Sequence, residues 1–152
     1  MRSLNEYITL NESGEYNLRP NSALELKKLI GQRIKEQGPN CDLNDIDVSR
    51  VKDMSFMFYD SKFNGDISRW DVSRVENMSE MFCRAKFNGD ISKWDVSNVT
   101  DMSYMFSDSQ FNGDVSEWDV SEVKYMRGIF YGSPSSKRTP DWYNETNIKV
   151  KL

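Results

Sequence analysis

A 24-residue unit recurs between Asp47 and Trp118, and it constrains the fold more than any other feature of the chain. Three nearly identical copies begin at Asp47, Asp71 and Asp95. Each ends with the signature FNGD and, after three intervening residues, a tryptophan. A fourth copy begins at Asp119, loses FNGD and recovers the register at Trp142. A unit this short cannot bury its own apolar face, so neighbouring copies must stack and share one continuous core.

The spacing of apolar residues inside a copy predicts how the copy folds. The first part has the spacing of a leucine-rich repeat and predicts a short strand: Ile67, Trp70, Val72 and Val75. The second part steps by three or four residues and predicts a helical turn: Val75, Met78, Met81 and Phe82. Ser73 and Glu76 would cap that turn. The pattern therefore predicts an α/β solenoid, a short leucine-rich-repeat stack of about four coils.

The two ends of the chain predict caps for this stack. Ser22 and Glu25 form a capping box, an apolar stripe follows, and Gly38 with Pro39 stops the helix. The stripe consists of Leu26, Leu29, Ile30 and Ile34. Residues 7–18 predict either a short hairpin or an extended arm, and the alternation at Ile148, Val150 and Leu152 predicts a capping strand. The predicted divisions are an arm and capping helix (1–39), the repeats (40–142) and a C-terminal cap (143–152).

Composition excludes several classes of function. The net charge of −4 and the pI near 4.9 argue against a nucleic-acid partner. No apolar run approaches the roughly 18 residues of a spanning helix, so we expect no membrane insertion. The N-terminal residues lack the apolar core of a signal peptide. As written, the sequence predicts a cytoplasmic protein, with a virion or a cell surface as alternatives.

The sequence lacks the residue combinations that are typical of common catalytic sites. It contains no histidine, which removes the commonest general base and excludes the Ser/His/Asp and Cys/His types of site. We therefore expect a protein that is not an enzyme and has no cofactor. Cys41 and Cys83 fall in different columns of the repeat and predict free thiols.

Recurring aspartates offer two interpretations. They form two columns in successive copies: Asp66, Asp90 and Asp114, and Asp71, Asp95 and Asp119. Stacked carboxylates could hold Ca²⁺, or each could accept hydrogen bonds from backbone N–H groups in its own turn. The nonapeptide spacing of calcium-binding β-helices is absent. The sequence therefore favours the turn interpretation and predicts no metal site.

Residues 94–106, WDVSNVTDMSYMF, resemble the repeat unit of the BspA-type leucine-rich repeat family, found in bacterial surface proteins and mycoplasma lipoproteins. The resemblance covers about residues 40–131. It implies a right-handed solenoid and a role in adhesion or partner recognition, and it implies no catalytic residues.

Positions where the repeat varies are candidates for binding a protein partner. One set lies beside the tryptophan column: Arg69, Lys93 and Glu117, with Arg50 and Arg74 just after the strand. This set is basic in the early copies and acidic in the last. A second set, Phe56 and Tyr104, lies on the predicted convex turns. We expect a protein-interaction module, with a structural or virion component using the N-terminal arm, self-association, or a surface adhesin as alternatives.

Overall fold

Regular secondary structure is confined to the ends of the chain in the computed structural model, which describes residues 8–10 and 16–143. Strands β1 (Ile8–Leu10) and β2 (Tyr16–Leu18) pair antiparallel, with Thr9 opposite Asn17. The helix α1 spans Ala23–Gln37, and a 3₁₀ helix spans Pro134–Lys137. The hairpin alternative for the N-terminal residues is confirmed. The predicted strand at Ile148, Val150 and Leu152 lies outside the described residues.

The helix α1 follows its sequence signals closely. The Ser22 hydroxyl accepts a hydrogen bond from the backbone N–H of Glu25, which satisfies one of the free donors at the helix start. Leu26, Leu29 and Ile30 are buried against the first repeat. Gly38 ends the helix with a φ of 89°, and its N–H donates to the Ile34 carbonyl at 2.8 Å. The predicted capping helix is confirmed.

The repeats are built from consecutive turns that are joined to one another by a regular hydrogen-bond ladder. Along residues 54–60, alternate backbone N–H groups donate to the next repeat: Met54 to Asn77, Phe56 to Ser79, Phe58 to Met81 and Asp60 to Cys83. Between them, the N–H groups of Met57 and Tyr59 donate three residues back within their own repeat, to Met54 and Phe56, and the Ser55 N–H donates to the Asp53 side chain at 2.8 Å. The same pattern recurs at residues 78–84 and 102–108. We call the segments 53–60, 77–84, 101–108 and 125–132 the turn rows.

The prediction of an α/β solenoid of leucine-rich-repeat coils is therefore wrong. Within residues 40–143 the repeats contain turns, isolated parallel bridges and no α-helix or named strand. The turn that Ser73 and Glu76 were expected to cap as a helix is not helical, and the Ser73 hydroxyl instead donates to Asp71 at 2.6 Å. The physical reason is that backbone donors alternate between their own turn and the neighbouring repeat, which no helix or sheet allows.

Left-handed backbone at fixed positions produces this alternation. Six residues other than glycine have φ between 53° and 58°: Phe56, Asp60, Glu80, Arg84, Tyr104 and Asp108. In the fourth turn row the equivalent positions are Gly128 and Gly132, which also have positive φ. This conformation is sterically unfavourable for a residue with a Cβ and is not for glycine.

The core consists of side chains stacked on their equivalents in the next repeat. Phe58, Phe82, Phe106 and Phe130 form one column, with ring centroids 5.4 to 5.8 Å apart. Phe63, Phe87 and Phe111 form a second column, and Trp70 stacks on Trp94 at 6.4 Å. The paired methionines of each repeat are buried here as well. The methionines and tryptophans of the repeats therefore fill the shared core.

Each tryptophan also ties its repeat to the one before. The indole N–H of Trp70 donates to the Leu43 carbonyl at 2.9 Å, and Trp94 and Trp118 repeat this bond to Ile67 and Ile91. Trp142 makes the same bond to Val115 at 2.9 Å, although the FNGD signature is missing before it. The register that the sequence predicted at Trp142 is confirmed.

Candidate functional site

The charged residues predicted beside the tryptophan column lie on the surface. Arg69, Lys93 and Glu117 occupy equivalent positions in successive repeats, and each is exposed next to a buried tryptophan. The backbone N–H of Arg69 donates to the Asn44 side chain at 2.8 Å, which fixes the main chain there. These residues form a column of changing charge, but no sheet face presents them, because the described repeats contain no sheet.

The other two predicted arginines have different surroundings. The Arg50 guanidinium donates to the Asn21 side chain at 2.8 Å, so it joins the first repeat to the residues before α1. Arg74 lines an open surface groove with Lys52, Asn98 and other polar residues. Lys52 in that groove pairs with Glu76 at 3.3 Å. Both arginines are exposed, and Arg50 is partly engaged in holding the N-terminal end.

Phe56 and Tyr104 belong to a different surface, formed by the turn rows. Phe56 is 44 % exposed and contacts Tyr59 with ring centroids 5.7 Å apart. Tyr104 is half-buried, because its ring lies against Gly128 in the next repeat. Both residues have left-handed backbone, which sends their side chains outward from the turns. The structure therefore separates these two residues from the five charged ones.

Sequence reasoning missed three exposed aromatic residues on the same turn rows. Tyr59, Tyr125 and Tyr131 are 40, 56 and 69 % exposed. Tyr59 and Tyr131 share a column with the small buried residues Cys83 and Ser107. This alternation of tyrosine with small residues was the signal available in the sequence. We call Phe56, Tyr59, Tyr125 and Tyr131 the exposed aromatic set; two lie in the first turn row and two in the last.

The aspartate columns are occupied by turn hydrogen bonds. In each repeat an aspartate Oδ1 accepts the N–H of the serine two residues later, as Asp90 does from Ser92 at 2.9 Å. The Ser92 hydroxyl donates to the same oxygen at 2.7 Å, and this bond, then the backbone bond, lowers the pKa of Asp90. Ser97 lowers the pKa of Asp95 in the same way. Within residues 16–143 no group of three or more acidic or cysteine side chains is placed to hold a metal ion.

Cys41 and Cys83 are both buried free cysteines, as predicted. Burial raises the pKa of each thiol, so the reactive thiolate form is disfavoured at neutral pH. α1 is the sole α-helix in the described part of the chain, and its 15 residues are too few and too polar to cross a membrane.

Comparison with known proteins identifies the repeat family. The family model described as "Mycoplasma protein of unknown function, DUF285" matches residues 27–143, so the chain belongs to this family. The expected likeness to mycoplasma repeat proteins is thereby confirmed, whereas the finer assignment to the BspA type stays a prediction. Searches among curated proteins and among solved structures found no match.

Proposed function

We propose that this DUF285 protein is a non-enzymatic protein-interaction module that binds its partner through the exposed aromatic set. The observation that carries the proposal is the exposure of Phe56, Tyr59, Tyr125 and Tyr131 at 40 to 69 % in a chain whose other phenylalanines in residues 16–143 are buried. Phenylalanine and tyrosine are enriched in protein interfaces, where they bury a large area at a low cost in side-chain entropy.

The framework behind these side chains is suited to binding. The turn rows are held by backbone bonds of 2.7 to 3.1 Å between repeats, so the exposed rings project from a rigid surface. A rigid surface loses little conformational entropy when a partner binds. The absence of histidine from the sequence and the engagement of repeat serines in turn hydrogen bonds support a role without catalysis.

Affinity capture from the producing organism with matched variants tests this proposal. One variant carries Phe56→Asn, Tyr59→Ser and Tyr131→Ser; asparagine tolerates the left-handed backbone at position 56. The control variant carries Arg69→Glu, Lys93→Glu and Glu117→Arg. We expect a partner that binds the intact chain and the control variant and is lost from the aromatic variant, with all three chains folded. Loss from the charge variant alone would assign binding to the charged column instead.

A further inference from the structure

Each of the three FNGD signatures contains an Asn–Gly pair, and the fold holds these pairs differently. Asn64, Asn88 and Asn112 occupy equivalent positions in successive repeats, and all three are exposed. Their surroundings in the sequence are nearly identical: KFNGDI, KFNGDI and QFNGDV. A large difference in chemical behaviour between the three pairs must therefore come from the structure around them.

The asparagine side chains form a ladder of hydrogen bonds along the stack. The Asn64 Oδ1 accepts the backbone N–H of Asn88 at 2.8 Å, and the Asn88 Oδ1 accepts the backbone N–H of Asn112, also at 2.8 Å. The donor in each bond belongs to the main chain of the next repeat, so it holds the side chain in place. Neither Asn64 nor Asn88 can rotate its side chain without breaking a bond that joins two repeats.

This ladder ends at Asn112. The residue one repeat later is Ser136, which lies in the 3₁₀ helix and donates its backbone N–H to the Ser133 carbonyl instead. Among the described residues, the Asn112 Oδ1 has one donor, the exposed guanidinium of Arg138 at 3.3 Å. This bond is longer than the ladder bonds and comes from a long side chain, so it restrains Asn112 less.

A surface groove beside the last pair gives its side chain room to turn. The groove has a volume of about 400 Å³, and Asn112, Gly113 and Arg138 contribute to its lining. A Cβ added at Gly65 would collide with the Cys41 carbonyl of the preceding chain segment, whereas one added at Gly113 would have its closest contacts with Phe111 of its own repeat. The Gly113 N–H donates to no acceptor in the described part of the chain.

We propose that Asn112–Gly113 is a site of spontaneous covalent modification, at which the asparagine becomes aspartate or isoaspartate. The Gly113 nitrogen gives its proton to water and attacks Asn112 Cγ. A C–N bond forms, the side-chain nitrogen leaves as ammonia, and a succinimide ring results. Glycine favours this step because it has no Cβ to hinder the approach of the two groups. Water then opens the ring at either carbonyl, so the whole reaction consumes water and releases ammonia.

Isoaspartate at this position acts on the C-terminal segment of the described chain. It lengthens the main chain by a methylene group between two points to which that segment is anchored. The Ser135 hydroxyl donates to the Phe111 carbonyl at 3.0 Å, and the Trp142 indole N–H donates to the Val115 carbonyl at 2.9 Å. The modification therefore loosens residues 133–143. The reaction needs no partner, so it is independent of the proposed function.

Peptide mapping of the aged, folded protein tests the site. Trypsin places the three pairs in different peptides, which are residues 63–69, 87–93 and 94–124. Mass spectrometry should show the conversion of amide to acid at Asn112 roughly tenfold faster than at Asn64 or Asn88, because one net hydrogen bond restrains a side chain by a factor of about two to ten. Equal rates at the three pairs, or the fastest conversion at Asn64 or Asn88, would overturn the proposal.

The unfolded chain supplies the control for local sequence. In concentrated urea the ladder is absent, so the three pairs should react at similar rates. A persistent excess of conversion at Asn112 in urea would overturn the proposal, because the fold would then not be the cause.

Two matched variants complete the test. Asn112→Ser should remove the fast phase of ammonia release from the folded protein, whereas Asn88→Ser should keep it. Brief trypsin treatment should also cut after Arg138 more readily in the aged protein than in the fresh one, and ageing should have no such effect on Asn112→Ser. A fast phase that survives in Asn112→Ser would overturn the site, and equal cutting of the fresh and aged proteins would overturn the loosening of residues 133–143.

Discussion

The ring of Tyr104 lies against Gly128, the residue that takes its own position one repeat later. A Cβ added at Gly128 would come within 2.5 Å of Tyr104 Cε1, and the φ of 65° is unfavourable for any other residue type. Glycine at position 128 is thus favoured both by its backbone conformation and by the tyrosine ring beside it. The pair shows that a side chain in one repeat restricts which residue type fits at the equivalent position of the next repeat.

Gly128→Ala should therefore destabilise the protein. The left-handed backbone and the displaced tyrosine ring together should lower the free energy of unfolding by about 1 to 3 kcal/mol. Gly31→Ala is the matched control, because nothing lies within 4 Å of its added Cβ and α1 gains a better helix former. That substitution should stabilise by roughly 0.5 to 1 kcal/mol. Urea denaturation of both variants is the measurement, and equal effects of the two would contradict this account.

Glu80→Gly should stabilise the fold. Glu80 holds a φ of 53°, a conformation that costs a residue with a Cβ about 1 kcal/mol relative to glycine. Part of that gain is lost to the greater entropy of glycine in the unfolded chain, so we expect a net gain of about 0.5 kcal/mol. Arg74→Gly, at an exposed position without positive φ, should instead destabilise. A lower denaturation midpoint for Glu80→Gly would show that the left-handed turn carries no strain.

Trp94→Phe should be costly although it keeps an aromatic ring in the column. Phenylalanine cannot donate to the Ile67 carbonyl, which accepts the Trp94 indole N–H at 3.1 Å in a buried position. An unsatisfied buried acceptor and the smaller ring should together lower stability by about 2 to 4 kcal/mol. Tyr125→Phe, at a 56 % exposed site, is the control and should change stability little. Thermal unfolding would contradict the prediction if the two variants behaved alike.

Stability should fall in acid because of the aspartate turns. Hydrogen bonds from serine hydroxyl and backbone groups lower the pKa of Asp90 and Asp95 in the folded chain. The unfolded chain, with an aspartate pKa near 3.9, therefore takes up protons first as the pH falls. The urea midpoint should be constant above about pH 5 and decline below about pH 4.

The double variant Asp90→Asn, Asp95→Asn should flatten this acid decline. Asparagine can keep the turn, since the side chain of Asn77, at another position of the repeat, accepts the Ser79 N–H at 2.9 Å in the same kind of turn. Its amide does not titrate in this range, so the contribution of these two groups to the pH dependence disappears. An unchanged acid limb in the double variant would mean that other groups control acid stability.

Two features could be predicted from the sequence: the helix α1 and the register in which successive repeats stack. Ser22, Glu25 and the apolar stripe specify the helix, and the recurrence of Trp70 at Trp94, Trp118 and Trp142 specifies the stacking register. Burial of the methionines and tryptophans follows from the same columns. These predictions depend on side-chain chemistry that repeats at a fixed interval. They therefore hold even though the backbone conformation inside the repeat was predicted wrongly.

The backbone inside the repeat could not be predicted in this way. Apolar residues three and four apart fit a helix, but they also fit consecutive turns with bonds three residues back. What separates the two is left-handed φ at positions such as Phe56 and Glu80, where the residue type does not indicate it. Gly128 and Gly132 at the equivalent positions, and Asp60 and Asp108 in the column of Gly132, were the indications in the sequence, since glycine and aspartate adopt positive φ more readily than other residues. The exposed tyrosines were missed for the same reason, because their direction depends on these turns.

The uniformity of the contact between repeats has a consequence for how the length of such a protein can change. Each turn row offers the same donors on one side and the same carbonyls on the other, and each tryptophan reaches back 27 residues to an equivalent carbonyl. Duplication or deletion of a 24-residue gene segment would therefore create no new kind of junction. The number of repeats can drift by recombination while the two ends stay unchanged, so chain length becomes a trait that selection can adjust without redesigning the core.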